Sequence, residues 1–308
     1  MGVDLITLMG PTASGKTAVA AELAHLLPRG VVLSADSRQV YRGMDIGTGK
    51  DLDEYTIDGE EVPYYLIDIC DAGERYNVHR YREDFFKIYE QLGPEVPKVL
   101  CGGTGQYIET VKGGFRMPDA PENPQLRSEL EQLSTASLAG RLSQLNSEGV
   151  VDWQNRRRLV RAIEVEEYFR GQGTEVSYIT YPPLSGPIFA IDVSREVRRE
   201  RISARLTARL EGGMIQEVEQ LLDQLQPEQL IYYGLEYKYV TEYLTGKLSY
   251  DEMKRQLEIA IHQFAKRQMT WIRGMERRGF TIHHIKPGES PRATAEEILS
   301  RVMSCDAS

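Results

Sequence analysis

The chain has 308 residues, 41% hydrophobic and 27% charged, so it can bury a sizeable core, and intrinsic disorder is excluded as its overall state. Its net charge of −9 lies in residues 1–150, because bases and acids cancel in the remainder. No apolar stretch approaches the roughly 20 residues that span a bilayer, and an acid stands where a signal peptide carries a base. We therefore expect a cytoplasmic protein. Its three unevenly spaced cysteines predict neither disulfides nor a zinc site.

The first third of the chain alternates short apolar segments with amphipathic ones. Segments with the length of buried strands are Val3–Met9, Val31–Ser34, Tyr64–Ile69 and Val99–Cys101. Helical patterns lie between them at Ala18–Leu27 and Val78–Leu92. Strands that alternate with helices predict a parallel sheet flanked by helices.

The pattern changes after residue 117. From Met117 to about Pro183 the sequence shows no strand pattern, only helical segments separated by prolines and glycines. We therefore expect an inserted all-helical domain at 118–185, between two parts of one α/β core at 1–117 and 186–308. The core is expected to resume with a strand, an arginine-rich helix, a long helix, a short strand and a last helix. They are placed at Pro187–Val193, 195–209, Tyr250–Arg277, Phe280–Ile285 and from about Thr294.

Basic residues are concentrated in two segments near the end of the chain. Residues 195–209 contain six arginines and two glutamates, and residues 254–278 contain seven bases and two acids. In the long helix, apolar side chains recur every three or four residues, so the opposite, basic face is left for solvent or a polyanion. Charge alone leaves these two possibilities equally open. We assign Phe264 and Trp271 to the core face.

Gly10–Thr17 reads GPTASGKT and matches the complete GxxxxGK[ST] pattern between a predicted strand and a predicted helix. Its glycines let backbone N–H groups turn inward around phosphate oxygens, and the helix start adds the positive end of its dipole. Lys16 adds a point charge, and the Thr17 hydroxyl can reach Mg²⁺. The loop predicts a site for a chain of phosphates, without specifying hydrolysis of ATP.

Two further segments follow predicted strands at their carboxyl ends, where parallel sheets place their ligand crevice. Asp36 follows the second strand, and its carboxylate could hold magnesium through water, accept a proton from a nucleophile or cap a turn. The GGTG turn Gly102–Gly105 brings the Thr104 hydroxyl to the same edge, although a tight turn needs glycine for steric reasons alone. Asp45 provides a second acid, and the six acids of residues 51–61 predict a solvated loop.

Six sequence blocks, taken in chain order, resemble the tRNA dimethylallyltransferase family, also called tRNA isopentenylpyrophosphate transferases. The blocks read GPTASGKT, DSRQVYRGMDIGT, YLIDI, GGTGQY, RRRLVRAIE and QFAKRQMTWIR, and they extend from Gly10 to Arg273. The resemblance implies an α/β fold: a P-loop NTPase-like core with a parallel sheet flanked by helices, plus an inserted all-helical domain that binds tRNA. The C-terminal zinc finger of eukaryotic members is absent, which favours a bacterial type.

The family transfers a dimethylallyl group from dimethylallyl diphosphate to N6 of the adenosine on the 3′ side of the anticodon and releases diphosphate. Its substrates are tRNAs that read codons beginning with U. The resemblance therefore implies Mg²⁺ as cofactor, the anticodon stem-loop of tRNA as partner, and a monomer. It also implies Asp36 as general base, Thr104 as a residue of the channel where donor and adenine meet, and Arg205 as the arginine that binds the leaving diphosphate.

Two sets of binding residues follow from the same resemblance. Those implied for the diphosphate are Gly10, Pro11, Thr12, Ala13, Ser14, Gly15, Lys16 and Thr17, with Thr17 as the magnesium ligand. Those implied for tRNA are Asp36, Ser37, Arg38, Gln39, Arg157, Arg158, Arg161, Lys266, Arg267 and Arg273. Two departures from the family pattern are Glu236, in the segment Tyr233–Lys238, and Gln106, which replaces an apolar residue after GGTG. We expect both departures to bear on RNA affinity and specificity.

Three other interpretations account for parts of the sequence. An adenylate isopentenyltransferase acting on free AMP, ADP or ATP would share the phosphate loop and Asp36 but would not need the insertion. A small-molecule kinase would share the phosphate loop but would have no use for the basic segment Lys266–Arg273. A non-catalytic RNA-binding module would leave a complete phosphate loop unexplained. The sequence therefore favours the tRNA enzyme.

Overall fold

The structure, a computed structural model, describes residues 4–113, 117–145 and 152–305. The chain divides into two units, Met1–Gly113 with Pro183–Ser308, and Gly114–Pro182. We call the first the α/β unit and the second the insertion unit. None of the helices in the described parts of the chain combines the length and apolar character needed to cross a membrane.

The described residues form short strands and helices of up to 28 residues. The strands are β1 Ile6–Met9, β2 Val31–Ser34, β3 Thr56–Ile57, β4 Glu60–Glu61, β5 Tyr64–Tyr65, β6 Lys98–Gly102, β7 Met117–Pro118, β8 Tyr178–Ile179, β9 Ile188–Ile191 and β10 Ile282–Ile285. The helices are α1 Lys16–Leu26, α2 Val78–Leu92, α3 Gly105–Lys112, α4 Pro124–Glu131, α5 Thr135–Gln144, α6 Arg156–Gln172, α7 Arg195–Glu211, α8 Met214–Leu222, α9 Pro227–Leu230, α10 Leu235–Leu244, α11 Tyr250–Arg277 and α12 Pro291–Cys305. Leu52–Tyr55 and Ile231–Tyr233 form 3₁₀ turns.

In the described part of the α/β unit, six parallel strands form one sheet in the order β10-β9-β1-β6-β2-β5. β1, β2 and β6 are fully buried, which explains why they read as continuous apolar segments. β6 lies between β1 and β2, with Met9 paired to Gly102 and Ser34 paired to Cys101. The carboxyl ends of these three strands therefore meet at one edge of the sheet.

The predicted strand Tyr64–Ile69 is too long, because β5 ends at Tyr65. Leu66 and Asp68 have positive φ angles of 67° and 55°, which lie outside the strand region. Asp68 is also held by an ion pair with the ammonium group of Lys50. Leu66 and Ile67 are buried, as the apolar pattern predicted, but the other residues of this segment are half-buried and its backbone leaves the strand conformation.

Helices flank the sheet, as the alternating pattern predicted. α1 and α12 pack together and against the sheet in one hydrophobic cluster, which includes Leu8, Val32 and Val302. α2 packs on α3, where the rings of Tyr81 and Tyr107 stack with centroids 3.8 Å apart. Each large apolar side chain buried in this way contributes roughly 1.5–3 kcal/mol to stability. The packing holds the strand ends in a fixed position.

The long helix α11 begins with a capping box, in which Ser249 Oγ accepts the Glu252 N–H and Glu252 Oε2 accepts the Ser249 N–H. The assignment of Phe264 and Trp271 to the core face of this helix is wrong, because each residue is 39% exposed. Both recur at three- and four-residue spacing with the buried residues of this helix, so spacing alone did not separate them from the core.

The insertion unit has a core of its own. α4, α5 and α6 pack through Leu126, Leu130, Leu138, Leu142, Leu159 and Ile163. Asn123, Ser134 and Asn155 cap the starts of these helices by accepting backbone N–H groups. The expectation of no strand in this segment is wrong in one detail, since β7 and β8 pair in an antiparallel ribbon. Two-residue strands so distant in the chain leave no periodic pattern to detect.

Candidate active site

The phosphate loop Gly10–Thr17 connects β1 to α1 at the carboxyl edge of the sheet. Gly15 is the N-cap of α1 and has a φ of 81°, a left-handed conformation that glycine adopts without strain. No side chain caps this helix start, so its first-turn N–H groups can face an anion. The Ser14 hydroxyl is buried and has no hydrogen-bond partner among the described residues. The loop therefore offers donors to an anionic ligand.

Asp36 and Thr104 lie on neighbouring segments, because β2 and β6 are adjacent strands. Thr104 Oγ1 accepts the Ser37 N–H at 3.0 Å and donates to Ser37 Oγ at 3.2 Å. The Thr104 N–H donates to the Ala35 carbonyl oxygen at 3.2 Å. Asp36 Oδ1 accepts the Arg38 N–H at 2.9 Å, and no described residue donates to Oδ2. The carboxylate thus caps a turn with one oxygen and keeps the other available.

Arg205 extends from α7 to the phosphate loop, where its guanidinium donates a hydrogen bond to the Thr12 hydroxyl. Burial, followed by the charge of Arg209, lowers the pKa of Arg205 to about 10. The side chain therefore stays protonated at neutral pH. No carboxylate of the described residues lies within ion-pair distance of it. A partly desolvated cation beside a phosphate loop, without an ion-pair partner among the described residues, is suited to bind an anion.

Three acids, Asp51, Glu54 and Glu236, lie near Arg205 without forming an ion pair with it. Asp51 is 3.1 Å from Arg209 in an ion pair, and burial, with Asp51 adding to it, raises the pKa of Glu54. Burial also raises the pKa of Glu236, although Arg209 and Arg205 oppose the shift. The prediction that residues 51–61 form a solvated loop is confirmed for the exposed Asp51 and Asp53 but is wrong for Glu54, which is half-buried in a 3₁₀ turn. Acidic composition alone did not reveal that these carboxylates face arginines from a distant helix.

Gln268 of α11 links the phosphate loop to the turn after β6. Its Oε1 accepts the Thr12 N–H at 2.8 Å, and its Nε2 donates to the Gly103 carbonyl oxygen at 3.0 Å. The residue is only 8% exposed. Sequence reasoning assigned no role to Gln268. The available signal was a polar amide at a core position, which needs buried hydrogen-bond partners.

The GGTG turn is also shaped by a close approach of α11. A Cβ atom on Gly105 would lie 2.0 Å from Trp271 Cδ1, so only glycine fits beneath this ring. The Arg278 guanidinium carbon is 5.7 Å from the centroid of the same ring, and Arg278 Nε donates to Glu109 Oε1 at 2.6 Å. The steric explanation for these glycines therefore holds, and Trp271 is a half-exposed residue beside the turn.

Glu217 of α8 organises the loop that follows the Asp36 segment. Its carboxylate accepts the backbone N–H groups of Asp45, Ile46 and Gly47 at 2.7–2.9 Å. The Tyr237 hydroxyl donates a fourth hydrogen bond at 2.7 Å. Sequence reasoning missed Glu217, since an acid on an amphipathic helix resembles any solvated residue. The Asp45 carboxylate, noted as a second acid, pairs with the buried ammonium group of Lys50 at 2.5 Å.

Two residues of the Asp36 segment differ in their surroundings. Gln39 is buried, with Nε2 donating to the Gly49 carbonyl oxygen at 2.9 Å and Oε1 accepting from the Ser34 hydroxyl at 3.1 Å. Arg38 is half-buried, and its guanidinium donates to the Tyr232 carbonyl oxygen at 3.0 Å. Gln39 is therefore committed to internal hydrogen bonds, whereas Arg38 lies at the surface.

The three arginines at the start of α6 also differ from one another. Arg157 is exposed, and Arg158 is exposed with only a long contact of 3.8 Å to Asp152. Arg161 instead donates to Glu164 Oε2 at 2.5 Å and to the Ala120 carbonyl oxygen at 2.7 Å. Arg161 is thus tied into the insertion unit.

The basic residues predicted on α11 are at the surface. Lys266, Arg267 and Arg273 are exposed, and the Arg267 guanidinium carbon lies 5.7 Å from the centroid of the Phe264 ring. Gln106, a departure from the family pattern, is also exposed at the start of α3. These side chains are available to a partner and are not part of the core.

The fold and this edge define a class of protein. A parallel sheet carries a GxxxxGK[ST] loop after its first strand, and an acid, a threonine and a half-buried arginine lie at the same edge. This arrangement is typical of P-loop proteins that bind phosphorylated substrates. A family model described as IPP transferase matches residues 39–275, and the chain belongs to this family.

Similar proteins cover nearly the whole chain. A tRNA dimethylallyltransferase 2 of Phocaeicola vulgatus is 54% identical over 284 residues, 91% of each protein. A tRNA dimethylallyltransferase 1 of Parabacteroides distasonis is 51% identical over 304 residues, 96% of this chain and 98% of that protein. The crystal structure of the tRNA isopentenylpyrophosphate transferase of Bacillus halodurans matches with a TM-score of 0.67 and 28% identity over 99% of both chains. A eukaryotic dimethylallyltransferase acting on tRNA shares the fold, with a TM-score of 0.72 at 20% identity, over 98% of this chain and 77% of that chain.

Proposed function

We propose that this protein transfers a dimethylallyl group from dimethylallyl diphosphate to N6 of the adenosine on the 3′ side of the anticodon in tRNAs that read codons beginning with U. The observation that carries the proposal is Arg205, a half-buried cation that touches the phosphate loop and lacks an ion-pair partner among the described residues. Such a cation is stabilised by an anionic ligand. Membership of the family supports tRNA as the acceptor. We include a monomeric state and a cytoplasmic location in the proposal.

Diphosphate is the leaving group, and the phosphate loop Gly10–Thr17 is proposed to bind it together with Arg205. The bond from the allylic carbon to the diphosphate oxygen breaks, and negative charge develops on the leaving group. Lys16, the N–H groups at the start of α1 and the guanidinium fork of Arg205 would stabilise this charge. The proposal therefore uses the loop as an electrostatic clamp and not as a site of ATP hydrolysis.

Magnesium fits this site as an ion shared with the substrate. The described residues contain no cluster of three or more His, Cys, Asp or Glu side chains that could hold a metal by themselves. Mg²⁺ at phosphate sites takes one or two protein ligands and completes its coordination with phosphate oxygens and water. The Thr17 hydroxyl would be the protein ligand. When bound, the ion would neutralise part of the charge on the diphosphate.

Asp36 is proposed as the general base. The exocyclic amine of adenine is a weak nucleophile because its lone pair is delocalised into the ring, so removal of its proton as the C–N bond forms speeds the reaction by about 10²–10⁴-fold. The available Oδ2 atom of Asp36 would take that proton, while Oδ1 stays bonded to the Arg38 N–H. Thr104, bonded to Ser37, is proposed to line the channel and to position the reactants.

The exposed bases are proposed to contact tRNA. They are Arg157, Arg158, Lys266, Arg267 and Arg273, and the half-buried Arg38 is proposed to join them. Gln39 and Arg161 were also expected to bind tRNA, but their polar groups are engaged inside the protein. We therefore propose that these two residues hold the backbone of their segments. Ser37 shares its hydroxyl with Thr104, which makes it a residue of the channel.

The proposal is tested by transfer of label from dimethylallyl diphosphate to separate acceptors. Unmodified tRNA, AMP, ADP and ATP are offered one at a time, and a tRNA with guanosine in place of the target adenosine serves as matched control. We expect label in the tRNA that carries adenosine and nowhere else. Label in a free nucleotide would mean that the donor site is right and the acceptor wrong. Absence of label in every acceptor, with the donor bound, would contradict the assigned activity.

A further inference from the structure

An exposed tyrosine lies directly beside the Asp36 segment, and neither the core nor the proposed reaction uses its ring. Tyr232 belongs to the 3₁₀ turn Ile231–Tyr233 and is 43% exposed. The guanidinium carbons of Arg38 and Arg75 are each 5.8 Å from the centroid of its ring. Arg38 also donates to the Tyr232 carbonyl oxygen at 3.0 Å. The ring is therefore held by two cations at the surface.

The support beneath this ring is rigid. Tyr232 packs edge-on against Tyr233 with ring centroids 5.5 Å apart, and Tyr233 packs edge-on against buried Tyr41 at 4.7 Å. The Tyr233 hydroxyl accepts the Gly73 N–H at 2.7 Å and donates to the Glu74 carbonyl oxygen at 3.0 Å. The aromatic ring is thus placed with little conformational freedom left to lose on binding.

The position of Tyr232 relative to Asp36 points to a ligand. Arg38 joins the two residues, because its N–H donates to Asp36 Oδ1 at 2.9 Å while its guanidinium holds Tyr232. Because one residue, Arg38, contacts both, we expect a base presented to Asp36 to have its neighbours in the strand close to Tyr232. Single-stranded RNA is commonly recognised by bases that stack on aromatic rings or guanidinium planes, with cations drawing in the phosphates. Glu74 precedes Arg75 in the chain, and its carboxylate pairs with the guanidinium of Arg80 at 2.8 Å.

We propose that Tyr232 is a stacking platform for the base of a nucleotide adjacent to the target adenosine, with Arg38 and Arg75 fixing the ring and attracting the RNA backbone. The inference rests on the proposed function and names a recognition residue for the same substrate. Stacking on Tyr232 would hold the strand so that the target base stays extruded toward Asp36. Sequence reasoning gave this residue no role.

The test measures the dissociation constant of an anticodon stem-loop RNA and the KM for dimethylallyl diphosphate. Tyr232→Phe keeps the ring and should bind RNA within about 2-fold of wild type, whereas Tyr232→Ala and Tyr232→Leu should weaken binding by about 5- to 150-fold. The KM for the donor should stay unchanged in all three variants. The matched control is Tyr250→Ala, because Tyr250 is also exposed, at 40%, but lies at the start of α11.

A second measurement separates stacking from a structural role. The stem-loop is prepared with an abasic nucleotide on either side of the target adenosine, one at a time. If the missing base is the one that stacks, Tyr232→Ala should cost no further affinity with that RNA. The proposal would be overturned if Tyr232→Ala lost its full factor of affinity with both abasic RNAs. It would also be overturned if wild type and Tyr232→Ala bound the intact stem-loop with equal affinity. Failure of wild type to bind the stem-loop would instead overturn the proposed function.

Discussion

In the α/β unit, Arg205 is desolvated on the phosphate loop, and no described carboxylate lies within ion-pair distance of it. In the insertion unit, Arg127 and Arg161 both reach the buried carboxylate of Glu164, at 2.8 Å and 2.5 Å. Both regions remove charges from water, which is unfavourable unless an opposite charge is close. The ions of the insertion unit are balanced by one another, whereas we propose that a ligand balances Arg205. Internal pairing thus distinguishes arginines that hold the fold from Arg205, which we propose binds the diphosphate.

The largest effect is expected in the α/β unit, from Asp36→Asn. The amide oxygen can still accept the Arg38 N–H, so the turn is kept, but the side chain can no longer take a proton. Single-turnover transfer to tRNA should slow by about 10²–10⁴-fold while RNA affinity stays within about 2-fold. Asp58→Asn is the matched control, since Asp58 is exposed and its φ of 53° suits asparagine. Near-normal turnover of Asp36→Asn would remove Asp36 as the base.

The counterpart in the insertion unit is Glu164→Gln, which leaves Arg127 and Arg161 without their shared carboxylate. Glu164 is 1% exposed, and removal of one partner from a buried ion pair costs about 3–5 kcal/mol of folding free energy. Urea denaturation followed by a probe in the insertion should show this loss. Glu129→Gln, on the exposed face of α4, should show none. Equal midpoints for the two variants would mean that the Glu164 cluster does not stabilise the insertion.

The same carboxylate predicts a pH dependence. Burial by itself would raise the pKa of Glu164, but hydrogen bonds from Arg127, the Asn123 N–H and Arg161 outweigh it and lower the pKa below the ordinary 4.5. The stabilisation is therefore present above pH 4.5 and is lost as pH falls through the lower, folded-state value. The stability difference between wild type and Glu164→Gln should shrink in acid. A difference that stays constant as the pH falls well below 4.5 would contradict this assignment.

A smaller effect is expected from Gln268→Ala, which separates the phosphate loop from the turn after β6. The Thr12 N–H and the Gly103 carbonyl oxygen would each lose a buried partner, at a cost of about 1–3 kcal/mol per group. Because the loop is proposed to bind diphosphate, we expect roughly a 10-fold rise in the KM for dimethylallyl diphosphate, with unchanged RNA affinity. Gln263→Ala, an exposed glutamine on the same helix, is the control. A loss confined to RNA affinity would show that Gln268 does not position the loop.

The smallest effects are expected from variants of Arg157, Arg158 and Arg161 in α6, and they should differ in kind. Changing Arg157 and Arg158 together to Ala should weaken tRNA binding and make it less dependent on salt. The slope of log binding constant against log salt concentration should fall in magnitude by about 0.7–0.9 for each phosphate that the protein no longer neutralises. Arg161→Ala should leave that slope unchanged and lower the stability of the insertion unit, because its guanidinium bonds to Glu164 and Ala120. Identical salt slopes for the double variant and wild type would mean that these arginines do not meet RNA.

Much of the site could be predicted because its residues are adjacent in sequence. The loop Gly10–Thr17 lies between β1 and α1 as its pattern requires, and Asp36 and Thr104 follow the adjacent strands β2 and β6. Errors arose where a side chain's surroundings come from another part of the chain. The basic block RRRLVRAIE of α6 did not show that Arg161 turns inward while Arg157 is exposed. The spacing in α11 likewise placed Trp271 in the core, whereas it lies half-exposed against Gly105.

The sequence by itself determined the parallel α/β fold and the phosphate loop, since buried strands and glycine-rich turns depend on local composition and short-range spacing. The family resemblance implied Arg205 at this site, but only the tertiary structure showed which polar groups contact the loop. Gln268 reaches Thr12 from 256 residues away, and Arg205 reaches it from 193 residues away. These contacts depend on how helices pack on the sheet, and helix packing follows the shape and volume of many side chains at once. A local pattern carries no record of such contacts.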